Sequence, residues 1–428
     1  MVRVSPVSDV SAGAAGAVPA APEGFRRHQW AIAALFCSLG FQYATWASRI
    51  PALKHELGLS AAEVGVLLMA AGIGAVVSFP LVDPLMRRLG SRRLALLSAL
   101  GLAVLLFALA AAPNYPLALL VLGVDGVLVG CLNVAMNAQG AALEVRFERT
   151  TMARLHATFS GGSLLAALLA SRMNAWTSSV PAHFAVAAVL LLLLGVYART
   201  GLLTDDAPAQ PTEKEKEKEK EKKGWRRKRA MPSRAVLWMC CAMVFGTVTE
   251  GAMNDWSTLY MQDVADASHQ LAPLGIAVIS AMMVLARVFA DGWRGRWGDG
   301  RVVVAGSALA TAGLAFALVG GGVATALAGF ACVGLGIAAV TPCVYVAAAR
   351  QGSDALALVA AMGTTGLLAG PPLIGFVANA SSLVWGLGVV AGAAAVVCLC
   401  GTRIRWQDTP PENAGALPPE TAPVTGTG

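Results

Sequence analysis

Residues 247–260 place two carboxylates, Glu250 and Asp255, in an apolar run that begins at Ala235. An ionisable side chain at hydrocarbon depth costs at least ~2.5–3.5 kcal/mol, so it faces a polar cavity or a partner. Glu250, Asn254 and Ser257 recur at helical spacing with Gly246, whereas Asp255 lies about 140° around the helix from Glu250. The two carboxylates therefore serve separate roles, Glu250 in a polar cavity and Asp255 in an ion pair nearer the end of the span, with Arg49 as its candidate partner. Gln42, Trp46 and Arg49 share one face of an earlier apolar stretch with Ser38 and Thr45. A third stripe runs through Gly126, Gly130, Asn133, Asn137 and Gly140, with Asp125 on its shoulder. Its amides offer donors and acceptors to a hydroxylated ligand, and hydrogen bonding between helices accounts for them as well. Asp125 and Glu250 are the candidate proton carriers. His156, whose side-chain type titrates near neutral pH, joins them as a binding or relay candidate.

The elements that position these groups are membrane helices. Of 428 residues, 56% are hydrophobic and only 13% charged, against roughly 25% charged in soluble chains. The mean hydropathy is +0.64. The eight cysteines fall in apolar runs without metal-ligand spacing, so neither a disulfide framework nor a metal site is expected. The basic balance, +7 at neutral pH, reflects loops at one membrane face rather than a nucleic-acid surface.

A span needs ~20 apolar residues. By that measure spans lie near 29–50, 61–82, 94–112, 117–139, 157–177 and 182–199, then near 235–258, 272–290, 302–320, 326–348, 356–378 and 383–401. The expected fold is thus an all-α membrane protein of about twelve transmembrane helices in two pseudo-symmetric six-helix bundles. The expected division is a tail at 1–27, a first bundle at 28–199, a charged linker at 200–234, a second bundle at 235–402 and a tail at 403–428. Arg26, Arg27, Arg87, Arg88, Arg92, Arg93, Arg294, Arg296, Arg301, Arg403 and Arg405 gather on one side, which places both termini in the cytoplasm. The linker carries alternating Glu and Lys from Glu213 to Lys223 and a basic cluster, 225–229, suited to anionic lipid.

The halves repeat. Asp83 stands seven residues before Gly90, and Asp291 stands seven before Gly298, with Arg88 and Arg93 matched by Arg296 and Arg301. A duplicated six-helix unit with polar groups at mid-depth is a secondary-transporter architecture.

On these features the chain resembles the major facilitator superfamily over essentially its whole membrane part. Segments 46–51, 133–139, 254–257 and 370–375 are most similar to its fucose-permease-like branch in bacterial inner membranes. The resemblance implies alternating access and assigns Asp83, Arg88, Arg93, Asp291, Arg296 and Arg301 to a gate at the inner face. Two departures stand out. Arg87 and Arg88 occupy the place of the family's acid–base pair, and the first span lacks the acid used by sugar–proton symporters of that branch. Gly370, Pro371 and Pro372 interrupt the eleventh span, where proline removes a donor and kinks a helix.

The expected function is secondary transport of a small polar organic solute, coupled to protons, by a single chain embedded in membrane lipid without cofactor. Multidrug efflux is the alternative on the same fold, opposed by the Asn/Gln-rich stripe and by only 7% aromatic residues. A non-transporting sensor is a further alternative. No phosphate-loop, His-Glu-x-x-His or nucleophile-elbow motif supports an ATP-driven pump or a membrane enzyme.

Overall fold

The computed structural model describes residues 24–204 and 232–406, which form thirteen helices. In order these are α1 (Phe25–Ala47), α2 (Ile50–Glu56), α3 (Ala61–Ala110), α4 (Tyr115–Phe147), α5 (Met152–Trp176) and α6 (Val180–Arg199). The second half holds α7 (Arg234–Asp263), α8 (Leu274–Trp297), α9 (Asp299–Gly320), α10 (Gly322–Ile337), α11 (Val340–Arg350), α12 (Ser353–Ala380) and α13 (Leu383–Arg403). α1 and α2 make one broken span, α10 and α11 another, and α3 makes two spans, so the described chain crosses twelve times. The fold is therefore all-α, in two six-span bundles, and both ends of the described chain lie on the same face. By length and composition alone only eight helices qualify as spans. α3 enters that count once, α1 and α5 fall short of it because their faces carry polar groups, and α8 offers only the shorter apolar run Leu274–Ala290.

Helix starts follow local chemistry. Ser60 and Glu63 form a reciprocal capping box at α3, and Asn114, Ser179 and Ser233 cap α4, α6 and α7 through their side chains.

The boundary between the second and third spans differs from expectation. Residues 83–94 are not a loop; helix α3 continues through them and turns at one residue, Gly90, with φ 72° and ψ 162°. Its repeat partner Gly298 adopts φ 80° and ψ 154° between α8 and α9. A single residue in this nearly glycine-only region reverses the chain, so no loop is needed. At Gly90 an added methyl group would meet nothing within 4 Å, so an alanine there meets backbone strain alone. We expect Gly90→Ala to lower stability by about 1–3 kcal/mol. Gly161→Ala, in open helical surroundings, should be neutral or slightly stabilising. Thermal unfolding of the purified variants checks both.

Pro371 and Pro372 sit inside α12, which nevertheless runs unbroken from Ser353 to Ala380. The expected interruption is instead found at the tenth span, between Ile337 and Val340, and in the first span, between Ala47 and Ile50. Of the expected linker at 200–234, residues 205–231, with the basic cluster, lie outside the described residues.

The apolar core is divided in a way that reveals the shape. At the face bearing the termini, one cluster draws only on residues of the first half, such as Phe36, Leu102 and Leu132. A second cluster there draws only on the second half, such as Met243, Cys343 and Val397. Toward the opposite face a single cluster joins both halves, bringing Trp46, Leu67 and Phe184 together with Trp256, Ile276 and Phe330. The bundles are thus fused at one end and separately packed at the other.

Candidate functional site

Each half contributes polar side chains near the junction where the common core gives way to separate ones. α7 is continuous from Arg234 to Asp263, so Glu250 and Asp255 do point in different directions. Glu250 is paired with Arg287 of α8, Nη2 to Oε1 at 3.1 Å, with the two side chains 25% and 22% exposed. Arg287 also donates from Nη1 to Ser160 Oγ at 2.5 Å, and Ser160 belongs to α5 of the other half. The guanidinium therefore ties an acid of its own half to a hydroxyl across the interface. Asn254 donates back to the Glu250 carbonyl at 3.0 Å, which keeps its amide on the same face.

Asp255 differs from the expectation. Its carboxyl accepts the Tyr43 hydroxyl of α1, not a bond from Arg49. Arg49 instead donates from Nε to Nδ1 of His183 on α6, at 3.0 Å, within its own half. That bond requires the His183 hydrogen on Nε2. The reason lies in the break after Ala47: Arg49 caps α2 with φ −108° and ψ 6°, which takes it off the face that α1 presents to α7. Tyr43, six residues earlier, remains on that face.

Beside Tyr43, Gln42 donates to Asp125 Oδ1 at 2.7 Å. Both are almost fully buried, at 1% and 3% exposure. Neighbouring residues of α1 thus hold two buried acids, one from α4 of the same half and one from α7 of the other. Trp46 is enclosed in the common core and meets Tyr43 edge-on at 5.2 Å. In this conformation Gln42 and Trp46 are sealed rather than lining an open wall.

The stripe on α4 divides. Gly126 and Gly130 press against α3, where a methyl group would lie 1.9 Å from the Ala71 carbonyl oxygen and 2.0 Å from Ser78 Oγ. Gly140 meets Met152 and Leu155 of α5. Asn133 is exposed and Asn137 half-buried; Asn137 donates to the Asn133 carbonyl at 2.7 Å and to its Oδ1 at 2.8 Å. His156 is exposed and packs edge-on to Phe36 at 5.0 Å.

Further polar contacts join the halves at the fused end. Lys54 pairs with Asp263 at 2.6 Å, Ser171 donates to the Gln270 carbonyl at 2.6 Å, and Asn174 donates to the His269 carbonyl at 2.7 Å. Because it is roughly one-third exposed, the Lys54–Asp263 pair contributes at most about 1 kcal/mol. At the other end Asp83, Arg88, Arg93, Arg296 and Arg301 make no hydrogen bond or ion pair among the described residues, and all five are exposed. Arg294 pairs with Asp299 at 2.7 Å, which closes the α8–α9 turn.

Arg287, Tyr43 and His183 were not singled out by the sequence, although Arg287 is the lone charge in the apolar stretch Leu274–Ala290. An isolated arginine at hydrocarbon depth is itself a signal of a buried partner. Among the described residues no group of three or more His, Cys, Asp or Glu side chains is placed to hold a metal ion.

Residues 31–353 match the family model of the Major Facilitator Superfamily. The uncharacterized transporter y4wD of Sinorhizobium fredii is 31% identical over 379 residues, covering 87% of this chain and 97% of that protein. Among solved structures, the nucleoside transporter NupG superposes with a TM-score of 0.68 at 14% identity, over 89% of this chain and 99% of that one. A D-xylose-proton symporter superposes with a TM-score of 0.70, also at 14% identity, over 92% of this chain and all of the other. At such identity the two structures speak for the fold alone. The family match, the twelve crossings and the repeated glycine turns agree: this chain is a multi-pass membrane protein and belongs to the Major Facilitator Superfamily.

Proposed function

We propose that the protein is a secondary active transporter of a small hydroxylated solute, working by alternating access in the bacterial inner membrane. One observation carries this reading: the halves share a core at one face and keep separate cores at the other. A bundle closed at one end with polar groups at the junction has the form of one limb of a transport cycle. With arginines marking the cytoplasm, the closed end is periplasmic, the termini are cytoplasmic and the site faces inward. Asp83, Arg88, Arg93, Arg296 and Arg301 are then the parts of an inner gate standing open. The rocking bodies are residues 28–199 and 235–402.

The solute class follows from Arg287. Its bond to the Ser160 hydroxyl is one that a ligand hydroxyl can replace, while Glu250 supplies an acceptor beside it. Asn254, Asn133 and Asn137 add amides suited to the same chemistry. The named substrates of the two structural neighbours, a nucleoside and D-xylose, are of this hydroxylated kind.

For coupling we favour Asp125 over Glu250. Glu250 is bonded to a guanidinium, whereas Asp125 has only the neutral Gln42 as hydrogen-bond partner among the described residues. Asp255 and Tyr43 are assigned to the periplasmic gate. The test begins with a panel of sugars, nucleosides and polyols read by thermal shift on purified protein. Flux of any hit into proteoliposomes with clamped pH then follows. Asp125→Asn is expected to keep solute exchange at equal pH and to lose accumulation driven by a pH gradient. Undiminished accumulation in that variant rejects its coupling role, and export of apolar cations in place of polar solutes rejects the solute class.

A further inference from the structure

A second site lies outside the polar junction between the halves. α9 and α13 pack within the second half and turn apolar side chains outward. Phe316 is 55% exposed, Val319 90% and Leu399 49%, as expected of a face that meets hydrocarbon. At the terminus-bearing end of this face a groove of about 550 Å³ runs between the first turns of α9 and the end of α13. Its lining includes Trp297, Gly300, Arg301, Val304, Ala305 and Trp406. The groove is built rather than incidental: Trp406 donates from Nε1 to the Gly401 carbonyl at 2.7 Å, which fixes the indole. The ring then seats against Gly300, where a methyl group would lie 2.4 Å from its Cδ1.

The charge of the groove is one-sided. No carboxylate is among its lining residues, and Asp299, the nearest acid in sequence, is held by Arg294 at 2.7 Å. Arg301 is exposed and makes no hydrogen bond or ion pair among the described residues. Arg296, Arg403 and Arg405, adjoining the groove in sequence, are exposed too. Indole rings favour the membrane–water boundary, and a guanidinium binds phosphate through paired N–H donors. An aliphatic floor at hydrocarbon depth, two tryptophans at the boundary and a free arginine at the mouth together match one kind of ligand. We propose that this groove binds an anionic glycerophospholipid, with its phosphate on Arg301 and an acyl chain along Val304 and Ala305. No lining residue comes from the first half, so the groove lies outside the polar junction of Ser160, Glu250 and Arg287, while its Arg301 is shared with the proposed inner gate.

The test is native mass spectrometry of the full chain, purified in neutral detergent and mixed with equal amounts of phosphatidylglycerol or phosphatidylcholine. Wild type is expected to retain phosphatidylglycerol in preference. Arg301→Gln should lower the phosphatidylglycerol-bound fraction at least fivefold and leave the phosphatidylcholine-bound fraction unchanged. Ala305→Trp, a substitution at an exposed position of the groove, should block the site by bulk and give the same loss with the charge intact. Equal retention of the two lipids by wild type, or undiminished phosphatidylglycerol binding in both variants, overturns the proposal. Displacement of the lipid by millimolar inorganic phosphate alone also overturns it, because the site would then recognise a free anion.

Discussion

Replacing Arg287 with alanine is expected to lower solute flux by one to two orders of magnitude and to destabilise the protein. The guanidinium bonds Glu250 at 3.1 Å and Ser160 at 2.5 Å, and its side chain is only 22% exposed. A hydrogen bond to a charged group contributes about 1.5–3 kcal/mol, and 1.4 kcal/mol corresponds to a tenfold change in affinity. Removing Arg287 alone also leaves the largely buried Glu250 carboxylate without its partner, which costs more than losing the pair as a whole. The double variant Arg287→Ala/Glu250→Ala should therefore regain much of the melting temperature lost in Arg287→Ala while remaining inactive. That split separates a role in the solute site from a purely structural one. A double variant that transports like wild type would show that the pair is only a brace. Measuring melting temperature and proteoliposome flux on all four members of the cycle decides between these outcomes.

Gly126→Leu should abolish recovery of folded protein. Where α4 crosses α3, a methyl group at Gly126 would lie 1.9 Å from the Ala71 carbonyl oxygen and 2.9 Å from the Ala75 nitrogen. One at Gly74 would lie 2.0 Å from the Gly123 carbonyl oxygen. Both obstacles are backbone, so neither can swing aside. Small residues at such crossings let membrane helices approach to backbone contact, where dispersion and weak polar contacts replace the missing hydrophobic drive. Even Gly126→Ala must part the helices by about 1 Å, and overpacking of this kind costs about 1–3 kcal/mol. A leucine adds three more carbons to the same clash. Size-exclusion chromatography of detergent-solubilised protein reads the result, with Gly195→Ala, which meets nothing within 4 Å, as the tolerant control. A monodisperse Gly126→Leu at wild-type yield would mean that the crossing is looser than described.

The glycines of α4 also show where spacing misleads. Gly126, Gly130, Asn133, Asn137 and Gly140 look like one stripe, yet the glycines serve packing against α3 and α5 while the asparagines remain accessible. Residues 3.5 apart on average drift around a helix of 3.6 residues per turn, and neighbouring helices divide the resulting surface between them. Asp255 was equally open to misreading. Its separation from Glu250 follows from helix geometry alone, but its partner depended on a break in the first span that carries Arg49 away and leaves Tyr43 facing α7.

What the sequence by itself determined is everything set by local geometry and by transfer from water to hydrocarbon. Run lengths specify the spans, and the matched Asp–Gly offsets mark two copies of one unit whose turns adopt nearly the same backbone angles at Gly90 and Gly298. Helical spacing also assigned Glu250 and Asp255 to different faces. Only the tertiary structure decided the pairings: Arg287 with Glu250 and Ser160, Tyr43 with Asp255, Gln42 with Asp125, and Arg49 with His183. These partners come from helices distant in sequence, and their meeting depends on how closely glycine contacts let the helices approach and which end of the two bundles is closed. That information is a property of the packed molecule, because a side chain's own neighbours on one helix do not specify what stands across the interface.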